Sequence, residues 1–110
     1  MTDEEKRDLV KYEIDLNPET IDETYLRSLG TQIQIILKHM FGGGGSLYGS
    51  VRGTKNQVSS LARALGNKKK YLGAFEKYGL TNPNTLRSRH GLERAIANFE
   101  RETGIKWPLK

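Results

Sequence analysis

Phe41-Gly42-Gly43-Gly44-Gly45-Ser46-Leu47-Tyr48-Gly49-Ser50-Val51-Arg52-Gly53 carries six glycines in thirteen residues. Glycine loses more backbone freedom on folding than any other residue, and glycine-serine stretches behave as flexible coils. Residues 42–53 are therefore read as a flexible hinge. Gly42 to Ser46 also matches a commonly engineered spacer. On this reading one domain, 1–110, holds an acidic helical part, 1–41, and a basic helical part, 54–110.

The charge distribution follows the same division. Residues 1–42 hold five Lys or Arg and nine Asp or Glu, a net of −4. Residues 43–110 hold thirteen Lys or Arg and four Glu, a net of +9. Such asymmetry predicts either an anionic partner for the basic part or contact between the two parts. Cysteine is absent, which excludes disulfides, thiolate metal sites and thiol catalysis. No apolar run approaches the roughly 20 residues that a membrane helix needs. The acidic start, Met1 to Lys6, lacks the basic and apolar regions of a signal peptide. The expected location is the cytoplasm, or a virion or host cytoplasm for a protein of phage origin.

Outward from the glycines, the apolar pattern predicts helices. Leu9, Val10, Tyr12 and Ile14 among charges give a short helix over 3–14, broken by Asn17-Pro18. Thr20-Ile21-Asp22-Glu23 reads as a capping box. It opens a long apolar helix, 20–41, through Tyr25, Leu29, Ile33, Ile36, Leu37 and Met40. Gly30 inside that helix implies close packing, since it costs about 1 kcal/mol against alanine. Beyond the hinge, Thr54-Lys55-Asn56-Gln57 is a second capping box. Val58, Leu61, Ala62 and Leu65 would form the buried stripe of its helix, closed by Gly66. Asn67 would cap a further helix over 68–78, with Tyr71, Leu72, Phe75 and Tyr78 as apolar positions. Asn82-Pro83 starts the next, with proline where it is tolerated. Gly91 divides that segment, Gly104 stops it, and Ile105 and Trp107 tuck the tail back. The expectation is an all-α bundle of four to five helices.

Leu61-Ala62, Leu65-Gly66, Leu72 and Glu76 together resemble the core of the repressor-type helix-turn-helix family. The resemblance covers Gln57 to Glu76. It departs from the family pattern at Asn67, at Tyr71 and at Gly73. It implies that Lys68, Lys69, Lys70 and Tyr71 begin a helix that enters the major groove of DNA.

Independently of that motif, ten cations of residues 43–110 can neutralise phosphates and release counterions: Arg52, Lys55, Arg63, Lys68, Lys69, Lys70, Lys77, Arg87, Arg89 and Arg94. The residues expected to carry nucleic-acid binding are Arg52, Lys55, Lys68, Lys69, Lys70, Tyr71, Arg87 and Arg89. Tyr48, Tyr71 and Tyr78, interleaved with these cations, offer rings on which unpaired bases stack. The glycine segment matches neither the P-loop nor the dinucleotide fingerprint. Two histidines, His39 and His90, lie in different parts and make no metal-ligand spacing. No serine stands in a nucleophile elbow. Neither an enzyme nor a cofactor is expected.

Two functions of different classes follow. One is a small basic nucleic-acid-binding protein. The other is a self-assembling structural or adaptor protein, in which the acidic part of one copy meets the basic part of the next. Helix 20–41 is then the expected surface for a homo-oligomer or protein partner. A small inhibitor of a host enzyme is a third reading. The compact, basic, cysteine-free style is similar to that of small tailed-phage proteins, with no motif behind the likeness.

Overall fold

The computed structural model describes residues 9–42 and 46–109. Five elements follow in order: β1 (Leu9–Asp15), α1 (Glu23–Met40), β2 (Ser46–Arg52), α2 (Lys55–Tyr78) and α3 (Pro83–Thr103). The fold is mixed α/β, with three helices and a two-stranded parallel sheet among the described residues. It is not an all-α bundle of four to five helices. The described residues fall into two compact units. One holds 9–42, 46–52 and 108–109; the other holds 53–107.

The first unit is a β-α-β arrangement. Over 9–14, β1 stands in place of the helix expected over 3–14, and the reason is local; residues 3–8 lie outside the described residues. Tyr12, Ile14 and Leu16 alternate with Lys11, Glu13 and Asp15, the period of a strand with one covered face. Ile14 is 3% exposed and Leu16 1%, while Lys11 and Glu13 face solvent. β1 pairs in parallel with β2, with Tyr12 beside Gly49 and Ile14 beside Val51. Parallel strands need a crossover, and α1 supplies it. This helix packs on β1 and buries Leu29, Gly30, Ile33, Ile36 and Leu37. Gly30 lies against Pro108, whose Cβ is 3.5 Å from where a glycine-to-alanine methyl would stand. The cap of α1 is Asp22 rather than Thr20. Its Oδ1 accepts from the Tyr25 amide at 2.8 Å, which leaves Glu23 inside the first turn. Phe41 is the C-cap, and Gly42 follows with φ +87°.

The glycine segment is not a hinge over 42–53, because 46–52 is strand; residues 43–45 lie outside the described residues. Ladder hydrogen bonds to β1 fix a backbone that its composition alone would leave free. Gly49 serves close approach. A Cβ there would stand 2.0 Å from the Tyr12 carbonyl oxygen and 2.7 Å from Tyr12 Cγ. Gly49→Ala must push the strands apart, at a cost of about 1–3 kcal/mol for an overpacked site. Urea unfolding checks this, and an unchanged midpoint would contradict it.

The second unit is an antiparallel helical hairpin. The Thr54 capping box is present as expected. Thr54 Oγ1 accepts from the Gln57 amide at 3.2 Å, and Gln57 Oε1 accepts from the Thr54 amide at 2.8 Å. From there α2 runs unbroken through Gly66 to Tyr78. Asn67 does not cap a new helix; its Nδ2 donates to the Arg63 carbonyl, 2.8 Å away, within the same helix. The helix-turn-helix resemblance therefore fails at the turn it requires. Leu61 and Leu65 are buried as expected, but Ala62, the small residue of that motif, is exposed, and Ser60 and Ala64 complete the buried face. Since a Cβ at Gly66 would meet nothing within 4 Å, Gly66→Ala should raise stability by about 0.5–1 kcal/mol. A turn glycine would give the opposite sign in the same denaturation experiment.

Helix α3 is likewise continuous through Gly91. Asn82 caps it by accepting from the Asn84 amide at 2.9 Å, with Pro83 in the first turn. The two helices are tied near the turn by the buried Thr85, whose hydroxyl donates to the Ala74 carbonyl at 3.2 Å. Further along, Gly91 admits Asn67. A Cβ at 91 would lie 3.0 Å from Asn67 Oδ1. Gly104, at φ +72°, ends α3, and the tail folds back. Ile105 is fully buried, and the Trp107 ring meets Phe99 edge-on at 5.4 Å. No helix among the described residues is long and apolar enough to cross a membrane.

Candidate functional site

Between α2 and α3 runs an open groove of about 560 Å³. On α2 it is lined by Asn67, Lys70, Ala74 and Lys77, which are three or four residues apart and so share one helix face. On α3 the same spacing brings in Asn84, Arg87, Gly91 and Arg94. Gly73 and Gly91 contribute no side chain, which keeps the floor open. Ser88 and Tyr78 complete the lining.

The lining holds four cations, Lys70, Lys77, Arg87 and Arg94, and no carboxylate. None of the four forms an ion pair with a carboxylate among the described residues; the Lys and Arg pairs there belong to Lys11, Arg27 and Arg89. Lys77 Nζ instead stands 5.2 Å from the centroid of the Tyr78 ring, which is 43% exposed. Like charges converging without a counter-charge raise the local positive potential. The hydrogen-bonding capacity of the two guanidinium groups is suited to bidentate contact with phosphate oxygens.

Of the residues expected to bind nucleic acid, Lys70 and Arg87 meet here. Lys68, Lys69 and Tyr71 occupy the middle of α2 but not the groove lining, because consecutive residues point about 100° apart around a helix. They do not begin a helix. Arg89 is turned to Glu93, at 3.2 Å. Lys55 is the first residue of α2, and Arg52 the last of β2 in the other unit. Lys77 and Arg94 are among the ten cations able to neutralise phosphates but not among the residues expected to carry binding. Their signal is regular: Lys70 and Lys77, like Arg87 and Arg94, are seven residues, or two helical turns, apart. Asn67, Asn84 and Ser88 carry no charge and gave no signal.

Elsewhere, His39 is half-buried on α1, and His90 Nδ1 lies 4.0 Å from Glu93. Among the described residues no three His, Asp or Glu side chains converge. Compared with known protein families, characterised proteins and solved structures, the chain matches none.

Proposed function

We propose that the helical hairpin binds nucleic acid through the groove between α2 and α3. The observation that carries this reading is the groove's four cations without a carboxylate. The unit supports it as a whole: residues 53–107 hold eleven Lys or Arg and four Glu, a net of +7. A polyanion gains affinity there by releasing counterions.

The shape favours a single strand. Reading a duplex means projecting an element into a major groove about 12 Å wide, whereas a concave slot receives a flexible strand. Tyr78 offers a half-exposed ring at the groove wall, on which a base stacks at about 1–3 kcal/mol. Fluorescence anisotropy of labelled single- and double-stranded oligonucleotides at several salt concentrations is the test. The expected result is tighter binding of the single strand. With four phosphate contacts, log affinity should fall against log salt with a slope of roughly −3. No binding of either oligonucleotide at low salt would remove the proposal.

A further inference from the structure

The two edges of the β1–β2 sheet are treated differently by the chain. The Leu16 amide donates to the Arg52 carbonyl at 2.8 Å. In a parallel ladder this sets the parity of both strands. Tyr12 and Ile14 direct their backbone groups at β2, and Glu13 and Asp15 direct theirs outward. On β2, Tyr48, Ser50 and Arg52 face β1, and Leu47, Gly49 and Val51 face outward.

The outer edge of β1 is stoppered by side chains of α1. The Glu13 amide donates to Gln32 Oε1 at 3.1 Å, and the Tyr25 hydroxyl donates to the Asp15 carbonyl. Burial raises the pKa of Tyr25, with the Asp15 carboxylate adding to the shift, so the phenol remains a donor at neutral pH. The outer edge of β2 has no such stopper and no third strand within its unit, among the described residues. Unpaired strand edges are templates for another strand.

We infer that the outer edge of β2 pairs antiparallel with β2 of a second copy, about a two-fold axis at Gly49. The occupant is a second copy because the edge is self-complementary in that register. Leu47 of each chain then stands opposite Val51 of the other, and both are half-buried on the face that β2 shares with Ile14. Directly opposed residues lie on the same sheet face, so both α1 helices cover one side of a four-stranded sheet ordered β1-β2-β2-β1. The polar faces also agree. Tyr48 meets Ser50, and the two Arg52 side chains, the only charges on β2, sit six residues apart, at roughly 20 Å. Leu29, Ile33, Ile36 and Leu37 of α1 are buried and so do not offer a second copy an apolar surface. The contact is isologous and closed, so it stops at a dimer.

Light scattering across a concentration series tests this on the full chain. The expected mass is twice the 12.4 kDa of one chain, falling toward one chain on dilution. Val51→Pro removes an outward amide without touching the β1 ladder. It should weaken the dimer at least tenfold while the far-ultraviolet circular dichroism stays helical. Hydrogen exchange of the unsubstituted protein gives a second readout that does not depend on the variant folding. The amides of Leu47, Gly49 and Val51 should exchange more slowly as concentration rises. A single-chain mass at every concentration would overturn the inference. So would a folded Val51→Pro dimer of undiminished affinity, or exchange at these three amides that ignores concentration.

Discussion

Lys70→Glu combined with Arg87→Glu is expected to weaken single-stranded oligonucleotide binding by at least a hundredfold at about 0.1 M salt. The two side chains stand in the wall of the same groove, on facing helices. Each reversal removes a phosphate contact and sets a carboxylate against the phosphates left behind. The salt slope should shrink by roughly 1.4, at about 0.7 for each lost contact on a single strand. Lys68→Glu with Lys69→Glu is the matched control. It makes the same change in net charge, on α2 alone and outside the groove lining. It should weaken binding only severalfold, through the general field of the protein. Anisotropy of both variants separates a built site from bulk charge. Equal losses would show that position does not matter, and the groove would lose its claim. Lys70 and Arg87 are both exposed, so neither reversal disturbs the core.

Phe99→Ala is expected to have the largest effect on stability. Phe99 is fully buried, and the edge of its contact with Trp107 joins the returning tail to α3. Two hydrogen bonds shape that return. The Thr103 hydroxyl donates to the Phe99 carbonyl at 2.7 Å, and Glu100 Oε2 accepts from the Trp107 amide at 2.9 Å. Removing the ring leaves a cavity that these bonds prevent from closing, and such truncations cost about 3–5 kcal/mol. For a small domain that is a large share of the total. Trp107 is the chain's one tryptophan, so its emission reports on this joint during guanidinium unfolding. A loss below about 1 kcal/mol would mean that the tail does not complete the core of the hairpin.

The helices were legible where cap and stripe agreed. Thr54 with Gln57, Asn82 with Pro83, and the tail through Ile105 and Trp107 all stand as their residue types imply. The strands were missed for two different reasons. In β1 the alternation is present, yet it lies beside an acidic stretch that also suits a helix start. In β2 the position between Leu47 and Val51 on the same sheet face is a glycine, which breaks the pattern that would mark a strand. Its meaning comes only from the Tyr12 backbone and ring pressed against it, a contact across 37 residues of chain that no local pattern carries. Gly66 and Gly91 misled in the other direction. Both look like helix ends, but neither has left-handed backbone. The packing of two long helices, with Asn67 fitted against Gly91, outweighs a helical glycine's cost of about 1 kcal/mol. The groove was half legible for the same reason. Its cations repeat at two-turn spacing on each helix, but which helix faces which is set by the hairpin. That hairpin exists only because α2 does not turn at Gly66.

The most direct test of the groove is a titration of the 15N-labelled full chain with a single-stranded oligonucleotide, followed by amide shifts. The largest changes are expected at Asn67, Gly73, Ser88 and Gly91, which line the groove on both helices, with little change along β1. Shifts centred on β1 and α1, or none at concentrations where anisotropy reports binding, would contradict it.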